Sequence, residues 1–163
     1  DSGIFDDNRY FDVFAEYAKA DAEDILIKIT IANRGPETAE LDLLPTIWFR
    51  NTWSWGCSHE GCEVKPRLER FSPDTGGGAT VLARHGSLGS FLFQAGVGPD
   101  GKIPPLLFTE NETNTARLFG HPNATPWVKD AFHRYLIDGD VSAVNPAEHG
   151  TKAAALYRLF GVL

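Results

Sequence analysis

Pro45 to Trp55 reads P-T-I-W-F-R-N-T-W-S-W and holds three of the chain's four tryptophans, with Phe49, Arg50 and Asn51 between them. In an extended backbone side chains alternate across the sheet. Ile47, Phe49, Asn51, Trp53 and Trp55 then share one face, and Thr46, Trp48, Arg50, Thr52 and Ser54 the other. Each face carries both aromatic surface and hydrogen-bonding groups, whereas a strand that merely closed a core would show one apolar and one plain polar face. The expectation is a strand buried on one side and engaged on the other by a neighbouring domain or a ligand. The ordinary alternative is a Trp-rich core strand.

A second stretch, Thr109-Glu110-Asn111-Glu112-Thr113-Asn114, sets carboxylates and amides directly behind the apolar Leu106-Leu107-Phe108. Such groups can hydrogen-bond sugar hydroxyls. Glu110 and Glu112 fall on one face of a strand, a spacing compatible with the roughly 6.5–9.5 Å between acid and base in an inverting glycosidase. Two glutamates so spaced are more often a solvated loop or an interdomain contact, and no catalytic residue is assigned. Cys57-Ser58-His59-Glu60-Gly61-Cys62 offers thiols and an imidazole, but a structural zinc site needs four ligands with paired short spacings. The chain has no second cysteine pair and no His-x-x-x-His partner, so two thiols or a local disulfide is the preferred reading, with no metal and no cofactor. Ser87 and Ser90 near His85 lack the Gly-x-Ser-x-Gly elbow, and Gly76-Gly77-Gly78 lacks the Gly-Lys-Ser ending of a phosphate loop.

Short strands must position these groups. Tyr10 to Ala18 alternates, and Ile25-Leu26-Ile27-Lys28-Ile29-Thr30-Ile31 places four isoleucines at period two, which predicts an antiparallel hairpin. Asn33-Arg34-Gly35-Pro36 turns the chain, Ala39 to Leu44 resumes extended structure, and Pro45 marks an edge or bulge. Gly56 to Pro66 and Phe71 to Gly78 read as loops, the latter a hairpin tip. Ala79 to Arg84, Ser90 to Ala95 and Leu106 to Thr109 read as strands. One helix is expected, capped by Thr125, opened by Pro126 and stopped by Gly139, with Val128, Ala131, Phe132, Tyr135 and Leu136 on its apolar face. Thr151 to Phe160 fits either period and is read as a strand. The fold expected is mainly β, an antiparallel β-sandwich with one short helix, as a single domain over residues 1–163.

Composition excludes several functions. A net charge of -7, with no basic cluster, argues against nucleic acid. No apolar run approaches the ~20 residues of a membrane helix. The chain starts at Asp1, contains no methionine and ends on Gly161-Val162-Leu163, which reads as a domain cut from a longer protein. With no signal peptide in view, the compartment expected is the cytoplasm.

Several ordered blocks carry a resemblance: Arg9 to Tyr17 (R-Y-F-D-V-F-A-E-Y), Ile31 to Pro36 (I-A-N-R-G-P), Leu44 to Trp53 (L-P-T-I-W-F-R-N-T-W), Glu110 to Asn114 (E-N-E-T-N) and Gly150 to Ala154 (G-T-K-A-A). Together they resemble the N-terminal region of bacterial proteins similar to mannosyl-oligosaccharide glucosidase, glycoside hydrolase family 63. The resemblance implies a β-sandwich preceding an (α/α)6 catalytic barrel in enzymes that hydrolyse α-glucosidic bonds with inversion. Because that family's acid and base belong to the barrel, it also implies that this segment is catalytically silent. Its expected partners are the barrel of the same parent chain and an oligosaccharide, whose apolar ring faces and hydroxyls suit indoles beside polar groups. The candidate sugar-binding or interdomain residues are Trp48, Arg50, Asn51, Trp53, Trp55, Asn111, Glu112 and Asn114. Two alternatives stand beside this reading, an autonomous carbohydrate-binding module and a domain that dimerises through the aromatic surface.

Overall fold

The computed structural model describes residues 3, 5, 7, 9–56, 64–72 and 77–162, with the backbone alone at 55 and 162. The Cys57–Cys62 stretch therefore lies outside the described residues. The fold is mainly β and antiparallel. Within the span 1–163 the chain clusters into two compact units, Asp1–Asp42 with Arg158–Leu163, and Leu43–Tyr157.

In the smaller unit, β1 (Phe11–Asp21) and β2 (Asp24–Asn33) form the expected hairpin. Its register sets Val13 opposite Ile31, Ala15 opposite Ile29 and Tyr17 opposite Ile27, so the period-two isoleucines share a face with the apolar residues of β1. The open end is tied by Arg34, whose backbone N–H donates to the Tyr10 carbonyl at 2.8 Å and whose Nε donates to Asp12 Oδ2 at 2.6 Å. β3 (Ala39–Leu43) pairs with β11 (Tyr157–Val162) in a second two-stranded sheet.

The larger unit is a sandwich. One sheet has three strands, in the order β4 (Thr46–Trp48), β10 (Lys152–Ala155), β8 (Leu106–Thr109). The other has four, in the order β7 (Gly89–Gly96), β6 (Gly78–His85), β5 (Arg67–Phe71), β9 (His149–Gly150). Leu68, Val81, Ala83 and Ala95 from the four-stranded sheet meet Leu106, Phe108, Ala153 and Ala155 from the three-stranded one, with Ile47 and Phe49 at the margin. Each fully buried side chain of the size of Leu68, Val81 or Phe108 contributes about 1.5–3 kcal/mol. Alternate residues face outward and build a second core, in which Leu107, Ala154 and Leu156 pack on Phe132, Tyr135 and Leu136 of α2 (Ala131–Ile137).

Three local features differ from the sequence reading. The helix starts later than the Thr125-Pro126 signal indicates, because Thr125 Oγ1 instead bonds the Trp127 carbonyl at 2.9 Å and Asp130 occupies the cap position. A second helix, α1 (Thr115–Phe119), is too short to show a period, and follows Asn114 as its cap. The extended segment after Pro45 ends at Trp48, and Trp53–Trp55 forms a 3-10 turn. The alternation expected through Trp55 therefore stops with β4, since a tight turn rotates its side chains about the axis instead of alternating them across a sheet.

Candidate functional site

The Trp-rich stretch and the acidic stretch meet at the end of the three-stranded sheet. β4 and β8 flank β10, so the residues that leave β4 after Trp48, those that leave β8 after Thr109 and those that enter β10 at Thr151 all emerge together. Phe49 N–H donates to the Thr151 carbonyl at 3.0 Å, extending the β4 ladder by one bond. Asn111 Nδ2 donates to the Phe49 carbonyl at 2.9 Å, and Asn111 N–H donates to Thr151 Oγ1 at 2.8 Å. The Thr151 hydroxyl in turn donates to Glu110 Oε2 at 2.7 Å. Three separated stretches, 44–53, 110–114 and 150–154, are thereby bonded into one knot.

Two carboxylates face one cation there. Lys65 Nζ lies 2.8 Å from Glu112 Oε1 and 3.1 Å from Glu110 Oε2, and Trp53 Nε1–H donates to that same Glu112 oxygen at 2.8 Å. Both carboxyl side chains are less than one-fifth exposed, against 40% for Lys65. Burial opposes the charge on Glu112, but the hydrogen bonds from Lys65 and Trp53 outweigh it and hold the carboxyl below its usual range. Burial likewise opposes the charge on Lys65, and the two glutamates outweigh it and raise the ammonium. Its Nζ also sits 5.7 Å from the Trp53 ring centroid, within cation–π range. The two bridged oxygens are no farther apart than the sum of their contacts to Lys65, closer than the gap an inverting acid–base pair leaves for water.

The eight candidate residues divide by what their side chains already hold. Asn51 Oδ1 accepts from Ser54 N–H at 3.1 Å and so shapes the 3-10 turn. Asn114 caps α1 by accepting from Arg117 N–H at 3.0 Å, accepts from Asn123 Nδ2 at 3.0 Å and donates to Asp130 at 3.2 Å. Like Trp53, Asn111 and Glu112, these groups already hold hydrogen-bond partners within the chain. The Trp55 side chain lies outside the described residues. Trp48 and Arg50 are the candidates turned outward: Trp48 is 58% exposed, and the Arg50 guanidinium is exposed with no hydrogen bond or ion pair among the described residues.

Trp48 stands opposite Lys152 in the β4–β10 register, on the face away from the inter-sheet core that receives its neighbour Ile47. Lys152 Nζ donates to the Lys129 carbonyl at 2.8 Å and lies 4.7 Å over the Phe132 ring. Burial and the nearby Lys129 charge lower its pKa. Sequence reading did not single out Lys65 or Lys152 as site residues. Lys65 lies within the Gly56 to Pro66 stretch read as a loop, which has no local pattern, and Lys152 looks like one residue of an alternating strand. Thr151 and Lys152 entered the sequence reading only through the block Gly150 to Ala154 and the strand expected over Thr151 to Phe160.

Among the described residues no group of three or more His, Cys, Asp or Glu side chains is arranged to hold a metal ion. No buried side-chain nitrogen or oxygen among them lacks a hydrogen-bond partner. No helix among them is long and apolar enough to cross a membrane. The geometry thus offers a closed polar knot, which fixes the loop ends, and a flat indole beside it.

No family model matches the chain, and no solved structure matches it. An uncharacterized protein of Saccharomyces cerevisiae, YMR196W, is 37% identical over 171 residues, covering 93% of the chain. The chain spans about 15% of the length of that relative.

Proposed function

We propose that the chain is a non-catalytic N-terminal β-sandwich of a longer α-glycosidase similar to glycoside hydrolase family 63. Its task is to support an (α/α)6 barrel and to turn Trp48 and Arg50 toward that barrel or the rim of its sugar pocket. One observation carries the reading: three of the five stretches that bear the resemblance, 44–53, 110–114 and 150–154, converge on a single hydrogen-bonded knot. Residues far apart in sequence but joined at one place form a scaffold for one surface, and among the candidate residues whose side chains are described Trp48 and Arg50 are its exposed part.

The same knot supports the catalytic silence that the resemblance implies. A general acid at a glycosidic bond needs a carboxyl whose pKa is raised, so that it carries a proton at working pH. Glu112 is shifted the other way and shares Lys65 with Glu110. In this proposal acid and base come from the remainder of the longer chain, and the relative, of which 15% is matched, has ample length to contain such a barrel.

The test is hydrolysis by the longer polypeptide that carries this segment. It should cleave α-linked gluco- or manno-oligosaccharides with inversion, read from the first-formed anomer by proton NMR. Trp48→Ala should change KM or kcat, while Glu112→Gln should act through stability alone. No hydrolysis across that panel, or turnover by the 163-residue chain that Glu112→Gln abolishes, would overturn the proposal. The exposure of Trp48 also favours a second reading, an autonomous carbohydrate-binding module. Micromolar binding of those oligosaccharides by the 163-residue chain would select it.

A further inference from the structure

One face of the β1–β2 hairpin is apolar along nearly its whole register. Val13 stands opposite Ile31, Ala15 opposite Ile29, Tyr17 opposite Ile27, and Ile25 opposite Lys19. Val13, Tyr17, Ile25 and Ile27 are between half and three-quarters exposed. The reverse face carries Asp12, the Glu16–Lys28 ion pair and Thr30, together with Phe14 and Leu26. A two-stranded ribbon is at best marginally stable in water without a layer on one face. A ladder of isoleucines is the side such a ribbon would bury.

We propose that this isoleucine face is the docking surface for an apolar layer of the same longer polypeptide, outside the 163 residues, packed on it as one layer of a sandwich packs on the next. Size argues for an occupant in the same chain. The register puts about five residues of each strand on this face, about half or less of the roughly 20–30 residues a side that a stable interface of standard size uses. A separate molecule held by so small a face must still offset its lost translational and rotational freedom, whereas a layer joined by the backbone has already lost most of it. The matched relative accounts for the source of that layer, since 85 parts in a hundred of its length lie outside the aligned segment. The proposal needs a longer polypeptide but does not depend on the glycosidase reading.

Thiol reactivity tests it. With Cys57→Ser and Cys62→Ser as background, Ile27→Cys and, separately, Tyr17→Cys report the apolar face, and Thr30→Cys reports the reverse face. In the 163-residue chain a maleimide should modify all three quickly. In the longer polypeptide the rate at positions 17 and 27 should fall at least tenfold while position 30 stays fast. Ile27→Lys should be tolerated in the short chain and should lower the soluble yield of the long one. Equal rates at position 27 in both proteins would overturn the proposal. So would protection in the 163-residue chain that rises with its concentration, which would make a second copy the occupant, or a reading frame that ends at Leu163. Loss of glycosidase activity with protection intact would strike only the proposed function.

Discussion

Trp53 donates its indole N–H to Glu112 across 59 positions of sequence, and Lys65 reaches the same carboxylate oxygen, each at 2.8 Å. A carboxylate that accepts from both an indole and an ammonium cannot be replaced by an apolar group without taking this acceptor from the indole and leaving Lys65 with Glu110 alone. Glu112→Gln retains an acceptor but loses the charge. Glu112→Ala should destabilise the chain by about 1–3 kcal/mol, and Glu112→Gln by less. A double-mutant cycle with Trp53→Phe, followed by urea denaturation, should return a coupling of about 1 kcal/mol. Additive single effects would mean that the indole bond contributes nothing.

The same pair fixes the sign of a pH dependence. The Glu112 carboxyl is held below its ordinary value of 4.5 in the folded chain, so its contribution is present above that value and is lost as pH falls through the folded pKa. Lys65 is raised above its ordinary 10.5, so its contribution is present below 10.5 and is lost as pH rises through the folded pKa. Urea midpoints measured from neutral pH downward should fall for the native sequence below about pH 4.5, and Glu112→Gln should make that limb shallower. An unchanged slope in the variant would remove Glu112 from the acid limb.

Gly150 gives a sharper steric prediction. A Cβ at that position would lie 2.2 Å from the Thr109 carbonyl oxygen and 2.8 Å from its carbon, both backbone atoms. Thr151 N–H bonds that same oxygen at 3.1 Å, so the close approach of β9 to β8 is what lets Thr151 enter the knot. Gly150→Ala should cost about 3 kcal/mol or more, at the upper end of overpacking penalties. Gly96→Ala is the control, because nothing lies within 4 Å of its Cβ position. Equal midpoints for the two variants would show that the sheet ends can separate freely.

How much of this could be read from residues alone depended on the range of the interaction. The hairpin was legible because Ile25, Ile27, Ile29 and Ile31 repeat at the period of a strand, and β6, β7 and β8 were marked by the same short-range signal. The Pro45 to Trp55 stretch misled after Trp48, since alternating residue types fit both a strand and a loop that closes as a tight turn. Asn51 and Asn114 illustrate why polar candidates are hard to sort. Asparagine caps turns and helices as readily as it binds ligands, and only the positions of Ser54 and Arg117 N–H decide between them. The Lys65 bridge had no local signature, because its partners lie 45 and 47 residues away and meet it only once the sheets have formed.

Trp48 separates a binding surface from a core. It is 58% exposed on an edge strand, whereas Phe108, two strands away in the same sheet, is 1% exposed. Truncating a buried aromatic leaves a cavity as well as losing transfer energy, so Phe108→Ala should cost about 3–5 kcal/mol. Trp48→Ala removes surface that is already largely hydrated, and should cost under about 1 kcal/mol in the 163-residue chain. Among the tryptophans whose side chains are described, its indole should also be the most accessible to acrylamide, so that Trp48→Phe removes a readily quenched part of the fluorescence. A stability loss at Trp48 comparable to that at Phe108 would make it a core residue and withdraw it from the proposed contact surface. A small loss in the short chain, with a large one in the longer polypeptide, is the result expected of a residue whose partner belongs to that polypeptide.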